Sequence, residues 1–296
     1  MFYYKLKNWV PKKILEMNLL SKNPNAIKYL EKNPELINWK MLSSNPNAIE
    51  LLKLNLEKID WFYLSKNPNA IEIIKKNLDK VIWSELSKNS SAMEILLKYP
   101  EKINWNSLCD NTNPLAIELL KDNPDKINWN ILSYNPSAIH YLIKNQDMIN
   151  WSIFSYNINP YAIKLLRKNK RFINWSALSI NPNAISILKE NKDKIDWIAL
   201  SSNPNAIELL KENQDKINWN LLAENPNAIE LIETNLDKIE LSYLIYNPAI
   251  FTYDYSLIKT RIKGLEEEIL EKTLHPNRLF KLAEYYGIEE VKKAYF

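Results

Sequence analysis

Residues 39–60 read WKMLSSNPNAIELLKLNLEKID, and variants of this 22-residue stretch recur along almost the whole chain. Its first position is a tryptophan in nine copies, spaced by 22 residues except for two intervals of 24: residues 39, 61, 83, 105, 129, 151, 175, 197 and 219. Met17 and Leu241 stand where the period requires a tryptophan at either end. We therefore expect ten full units over 17–240 and an eleventh, degenerate unit that starts at Leu241.

Each unit carries the sequence signals of two short helices. Asp60 can cap a first helix that begins at the tryptophan of the following unit. Asn45 and Pro46 fit the N-cap and the first position of a second helix. That helix has one apolar face, made by Ala48, Ile49, Leu51 and Leu52. We expect Asn55 to end the second helix in the left-handed conformation that glycine usually supplies.

Two short helices cannot bury a core alone, but stacked copies can cover one another. The repeat therefore predicts an all-α fold, an α-solenoid with two short helices per unit, extended as a curved rod on the order of 100 Å long. All ten full units carry an alanine nine positions after the first residue, or eleven in the longer units, which predicts close helix contacts. Residues 17–250 would form the solenoid, with an N-terminal cap over 1–16 and a C-terminal helical cap over 251–296.

The sequence offers no constellation for catalysis. Its two histidines, His140 and His275, are 135 positions apart, and Cys109 stands where other units have serine. A metal site or an acid–base pair would need such residues in clusters. No glycine-rich phosphate loop is present either. We expect a protein that is not an enzyme and that has no cofactor or metal.

The composition indicates an intracellular protein. The net charge is only +4, a weak electrostatic signal for a nucleic-acid binder. A single cysteine fits a reducing compartment. No apolar run approaches a membrane span, and the N-terminus is too polar for a secretory signal. These features favour a cytoplasmic monomer.

The repeat resembles the short helical repeats of uncharacterised proteins from nucleocytoplasmic giant DNA viruses. The resemblance rests on INWxxLSxNPNAIxLL, as in residues 217–232 with Ala223 in place of serine, on the opening NWVPKKIL at 8–15, and on LHPNRL at 274–279. Met17, Leu241 and the segment 89–91 depart from the pattern. The resemblance implies a viral protein located in the host cytosol or viral factory, and it implies no particular chemistry.

The units that depart from the 22-residue pattern are the candidates for partner binding. Both two-residue insertions fall between the first and second helices, at Asn111-Thr112 and Asn157-Ile158, where we expect surface loops. Nearby, apolar side chains replace polar ones: Tyr134, Tyr156, Ile158, Tyr161 and Ile180. A dense basic run follows in sequence, with Arg167, Lys168, Lys170 and Arg171. These residues are predicted to bind a protein partner, one with an acidic rim; alternatively, they pack against the enlarged loops.

The regular tryptophans and asparagines allow a second functional hypothesis. The tryptophans could stack bases, and one asparagine per unit could read them. Alternatively, the tryptophans are core residues and the asparagines are helix caps. The favoured function is a non-catalytic scaffold for protein–protein interaction; the alternative is a sequence-tolerant nucleic-acid-binding solenoid.

Overall fold

The computed structural model describes residues 4–275, 278, 279, 281, 282, 284 and 288. Within the described residues the α-helices are α1 (Ile27–Lys32), α2 (Trp39–Ser43), α3 (Ile49–Lys53), α4 (Trp61–Lys66), α5 (Ile71–Lys75), α6 (Trp83–Leu86), α7 (Met93–Lys98), α8 (Trp105–Leu108), α9 (Pro114–Lys121), α10 (Trp129–Tyr134), α11 (Ile139–Lys144), α12 (Trp151–Phe154), α13 (Pro160–Lys168), α14 (Trp175–Ile180), α15 (Ile185–Lys189), α16 (Trp197–Leu200), α17 (Ile207–Lys211), α18 (Trp219–Ala223), α19 (Ile229–Glu233), α20 (Leu241–Leu244) and α21 (Tyr255–Thr273).

Short 3-10 segments and two short strands complete the secondary structure. The 3-10 segments are Lys12–Glu16, Asn18–Lys22, Pro34–Leu36, Leu56–Lys58, Ser90–Ala92, Pro100–Lys102, Pro124–Lys126, Pro136–Ala138, Gln146–Met148, Lys170–Phe172, Pro182–Ala184, Lys192–Lys194, Gln214–Lys216, Pro226–Ala228, Leu236–Lys238 and Pro248–Ile250. The strands β1 (Tyr4–Leu6) and β2 (Phe251–Tyr253) pair with each other. The regular alternation confirms the predicted all-α repeat solenoid: even-numbered helices are first helices, and α1 to α19 with odd numbers are second helices.

The first helices begin as predicted. The Asp60 carboxylate accepts hydrogen bonds from the amides of Phe62 and Tyr63, at 3.1 and 3.2 Å. At the equivalent position before Trp219, the side chain of Asn218 accepts a hydrogen bond from the amide of Leu221. These side chains satisfy amide groups that have no partner within the helix.

The second helices begin later than predicted in the 22-residue units. The side chain of Asn45 accepts a hydrogen bond from the amide of Asn47, and α3 starts only at Ile49, after Ala48. The Asn-Pro-Asn-Ala segment is therefore a turn in front of the helix. The prediction that Pro46 is the first residue of the α-helix was wrong, because the asparagine side chain stabilises this turn instead.

Asn55 ends its helix by a different mechanism from the one predicted. Its φ is −139°, so it is not left-handed. Its amide Nδ2 instead donates to the carbonyl of Leu51, 2.9 Å away, and so satisfies one of the carbonyls at the helix end. The same bond is made by the asparagines of most other units: Asn33, Asn77, Asn123, Asn145, Asn169, Asn191, Asn213 and Asn235.

The core repeats with the sequence. Leu42, Ala48 and Leu52 are completely buried, and their equivalents in the other units are buried too. The alanines of all ten full units are at most 1% exposed, which confirms the prediction that this position is packed closely. Ser43 is also completely buried; it donates to the carbonyl of Trp39 and accepts from the amide of Asp60, and so ties the first helix of its unit to the residue that caps the next first helix.

A ladder of asparagine side chains joins every unit to the one before it. Nδ2 of Asn45 donates to the carbonyls of Ser21 and Asn23, at 3.0 and 3.1 Å. Nδ2 of Asn67 does the same to Ser43 and Asn45. Together the ladder positions are Asn23, Asn45, Asn67, Asn89, Asn111, Asn135, Asn157, Asn181, Asn203, Asn225 and Asn247, all 4% exposed or less. We call these residues the asparagine ladder.

The ladder closes on itself. Nδ2 of Asn23, in the first unit, donates to the carbonyls of Ile245 and Asn247, in the eleventh, at 2.9 and 3.1 Å. Asn25 likewise donates to Pro248, and the amide of Lys7 to Ile250. The repeats therefore form a closed ring, not the curved rod that we expected, and each unit turns the chain by about 33°, an eleventh of a full turn.

The closing unit combines both ends of the repeat region. Its first helix is α20, and its Pro248–Ile250 turn leads into β2 instead of a second helix. Val10 and Ile14, from the opposite end of the sequence, are buried in the same compact body. In a closed ring the first and last repeats cover each other's apolar faces, so separate caps are not needed for that purpose.

The chain divides into two compact parts, each larger than a single repeat unit. One spans 6–251 and is called the repeat body; the other takes in the described residues of 1–5 and 252–296. The segment 1–16, predicted as an N-terminal cap, is thus divided between them, and Phe2 and Tyr3 lie outside the described residues. The predicted C-terminal cap over 251–296 lies almost entirely in the second part, where α21 is exposed along nearly its whole length. Both cap assignments stay predictions.

Candidate interaction surface

The tryptophans are half-buried, not core residues as one reading of the sequence predicted. In seven of the nine repeats that begin with tryptophan, a lysine or aromatic side chain later in the same unit contacts the tryptophan ring. Lys58 places its Nζ 4.7 Å from the ring centre of Trp39, and Phe172 stacks on Trp151 at 5.5 Å. The other tryptophans contacted in this way are Trp61 by Lys80, Trp83 by Tyr99, Trp129 by Tyr141, Trp197 by Lys216 and Trp219 by Lys238. In at least six of these rings, one of the two faces is therefore in contact with a side chain of the same chain and is less open to a stacking base.

The apolar candidate residues are all exposed. Tyr134, Tyr156, Ile158, Tyr161 and Ile180, which we call the central surface, are between 36 and 51% exposed. Tyr134, Tyr156 and Ile180 occupy the same position, five residues after the tryptophan, in three consecutive units. The helix α10 packs against α12, and Asn174 and Asn181 donate hydrogen bonds to the unit that begins at Trp151, so the three equivalent positions follow one another along the repeat body.

Tyr134 borders an open depression. The depression has a volume of about 380 Å³ and is lined by Lys88, Asn106, Ser107, Asp110, Asn130, Ile131, Tyr134 and Ile153. Its lining combines three large side chains, of Ile131, Tyr134 and Ile153, with hydrogen-bonding and charged groups. Sequence reasoning did not find Ile131 and Ile153, since apolar residues at this helical spacing fit the core equally well.

The insertions reach the surface between the helices, as predicted, since Thr112 and Ile158 are exposed and non-helical, but the connecting segments 109–113 and 155–159 are no longer than 44–48. Asn111 and Asn157 are fully buried members of the asparagine ladder. The two extra residues follow the ladder turn and lengthen the second helix at its start: α9 and α13 contain eight and nine residues, whereas α3 contains five. The alternative in which the central surface packs against enlarged loops therefore loses its basis.

Helix lengthening exposes an apolar residue in each long unit. Tyr161 is one of them, and its ring lies 6.0 Å from that of His140 in the preceding unit and 4.8 Å from Nζ of Lys164. Leu115 is the corresponding residue of α9 and is 53% exposed. Leu115 was not among the residues predicted from the sequence. Its place directly after Asn113-Pro114 in a lengthened unit, equivalent to that of Tyr161, could have indicated it.

The structure separates the basic run from the central surface. Tyr161 lies at the start of α13 and Lys168 at its end, about 10 Å apart along the helix axis. Arg167 is already paired: it forms an ion pair with Glu190 and donates to Ser186 at 3.0 Å. Arg167 also holds the pKa of the Glu190 carboxyl below its usual range, chiefly through the hydrogen bond between them.

Three basic residues are left at the surface at that end of α13. Lys168, Lys170 and Arg171 are exposed, and Arg171 lies 4.5 Å from the ring centre of its neighbour Phe172. They are the members of the basic run best placed to meet an acidic group on a partner.

Cys109 takes the structural place of the serine found in other units. It is fully buried, donates to the carbonyl of Trp105 and accepts from the amide of Asn128, as serine does in other units. Burial raises the pKa of its thiol, which keeps the sulfur in its less reactive protonated form. His140 is an exposed surface residue. Among the described residues, no group of three His, Cys, Asp or Glu side chains could hold a metal ion.

No family model, curated protein or solved structure matches this chain. The resemblance to giant-virus repeat proteins therefore stays a prediction. In the part of the chain that the structure describes, no helix is both long and apolar enough to cross a membrane. What the fold defines is the class: an all-α helical-repeat protein whose first and last units join.

Proposed function

We propose that this chain is a non-catalytic repeat scaffold that binds a protein partner through the central surface. The observation that carries the proposal is the row of Tyr134, Tyr156 and Ile180. Three consecutive units expose a large apolar side chain at a position where the other full units carry serine, lysine, aspartate or glutamate; the degenerate eleventh unit has the half-buried Tyr246 there. Tyrosine and other large apolar residues supply much of the binding energy of protein interfaces.

The neighbouring groups suggest the chemistry of the partner. An apolar side chain of the partner would enter the depression beside Tyr134, while its backbone contacts the row. An acidic group of the partner, about 10 Å along α13 from Tyr161, would meet Lys168, Lys170 and Arg171. If the chain is viral, as the resemblance implies, the interaction takes place in the host cytosol or the viral factory.

A triple substitution tests the proposal: Tyr134→Ser, Tyr156→Ser and Ile180→Ser. Serine is native to this position in two other units, at Ser44 and Ser202, so the substitutions should preserve the fold. A matched control changes three exposed apolar residues elsewhere, Leu54→Ser, Phe62→Ser and Ile198→Ser. Helicity of all three proteins is compared by circular dichroism.

The readout is affinity purification from expressing cells with quantification of the retained proteins. We expect a protein partner that the wild type and the control retain equally and the triple variant loses by at least about tenfold. Equal retention by all three proteins contradicts the proposal. Retention of RNA or DNA that falls steeply between low and physiological salt would instead support the nucleic-acid alternative.

A further inference from the structure

The helix α21 has an apolar face that the described structure leaves uncovered. Tyr255, Ile262, Leu265 and Ile269 are between 45 and 70% exposed. With the half-buried Ile258 they are spaced by three, four, three and four residues. This is the a/d spacing of a coiled coil, and it continues through the five apolar positions of the helix.

The charges beside this face are distributed unevenly. The half of α21 before Gly264 carries basic residues, among them Lys259 and Lys263. The half after it carries Glu266, Glu267, Glu268 and Glu271, with Lys272 near the end. A second copy of the helix running in the opposite direction would place each basic half against an acidic half.

We propose that α21 forms an antiparallel two-helix contact with α21 of a second copy of this chain, which makes the protein a dimer. The register follows from the spacing. Opposing Ile262 with Leu265 of the copy also opposes Ile258 with Ile269, so every apolar pair joins an a position to a d position, as antiparallel coiled coils require. The same register places Tyr255 against Lys272 of the copy.

The flanking positions fit this register as well. Lys259 and Glu266 both occupy e positions, which face each other across an antiparallel seam, so the dimer contains this ion pair twice. A parallel arrangement in register would bring Lys272 against its own copy at the seam. The sequence favoured a monomer, and the proposed dimer differs from that expectation.

The interface is short. A helix of 19 residues is about 28 Å long, and the seam covers an area at the low end for specific complexes, so we expect micromolar affinity. This inference is independent of the central surface, because α21 contains none of those residues.

Sedimentation equilibrium of the full chain tests the dimer, at concentrations from about 5 to 100 μM, which bracket the expected affinity. The wild type should dimerise, and Ile262→Glu should be monomeric throughout. The control is Leu270→Glu, which changes an equally exposed residue of α21 away from the seam and should still dimerise. A monomeric wild type, or a dimer that Ile262→Glu leaves intact, would overturn the proposal.

A charge exchange tests the antiparallel direction. Lys259→Glu and Glu266→Lys should each weaken dimerisation by about tenfold or more, because each brings like charges together twice. An equimolar mixture of the two variants should dimerise again, since every facing pair is then opposite in charge. Failure of the mixture to recover contradicts the antiparallel arrangement, because a parallel pair would keep two repulsive contacts.

Discussion

At the scale of single residues, each ladder asparagine performs two tasks. The carbonyl oxygen of the Asn67 side chain accepts from the amide of Asn69, which fixes the turn, while its Nδ2 donates to two carbonyls of the preceding unit. Aspartate could perform only the first task, because a carboxylate has no hydrogen to donate. This difference explains asparagine at all eleven ladder positions.

Substitution of Asn67 by alanine should destabilise the repeat body by about 2–4 kcal/mol, because it removes three hydrogen bonds and leaves buried polar groups unpaired. The control is Asn69→Ala, which removes one exposed bond to Pro46 and should cost less than about 1 kcal/mol. Urea unfolding followed by circular dichroism measures both. Equal losses for the two variants would contradict the role given to the ladder.

The sequence predicts the first of the two tasks of the ladder asparagines, but not the second. Asn-Pro predicts a cap or a turn, and the structure contains that turn. The donation by Nδ2 between units was not predictable from one unit, because it depends on how closely the backbone of the preceding unit approaches. The tryptophans show the same limit. Their regular spacing fits a core position, but lysine and aromatic side chains of their own units contact them at the surface.

At the scale of elements, small residues allow the short helices to pack closely. Each helix has only about one to two turns, which would be unstable in isolation. Its stability comes from the packing of buried leucine and isoleucine around the invariant alanine, and from the caps that satisfy its ends. The insertions of α9 and α13 are tolerated because they extend a helix toward solvent without displacing the ladder or the alanine.

Substitution of the buried Ala70 by leucine should lower stability by about 1–3 kcal/mol, because there is no space for the larger side chain. The control is Leu54→Ala, at an 82% exposed position, which should change stability by less than about 0.5 kcal/mol. The shift in urea midpoint gives both values. A tolerated Ala70→Leu would mean that the helices are not in close contact there.

The residues of the central surface were predictable from the sequence, but their distance from the basic run was not. The replacement of polar residues by tyrosine and isoleucine is visible in the sequence, and these side chains are exposed as a binding surface requires. The basic run adjoins them in sequence only, because α13 holds the two groups at opposite ends. Their separation depends on the helix length, which the loop interpretation of the insertion had misjudged.

At the scale of the whole repeat body, closure is the main departure from expectation. A solenoid with two free ends needs caps and can fray, whereas each unit of a closed ring has two neighbours. The number of units and their fold were readable from the period. Closure was not, because it depends on the small rotation between units, which sums to a full turn only when it matches the number of repeats.

Distances between spin labels test closure most directly. Nitroxides are attached at Lys22→Cys and Tyr246→Cys, in the first and eleventh units, in a Cys109→Ser background; Nζ of Lys22 lies 5.2 Å from the ring centre of Tyr246. A second pair joins Lys22→Cys to Tyr134→Cys in the sixth unit. We predict a 22–246 distance below about 25 Å, shorter than the 22–134 distance of about 30 Å or more, as expected for units spaced by about 9 Å. A 22–246 distance of about 90 Å, longer than the 22–134 distance, would show an open rod and contradict the closed ring.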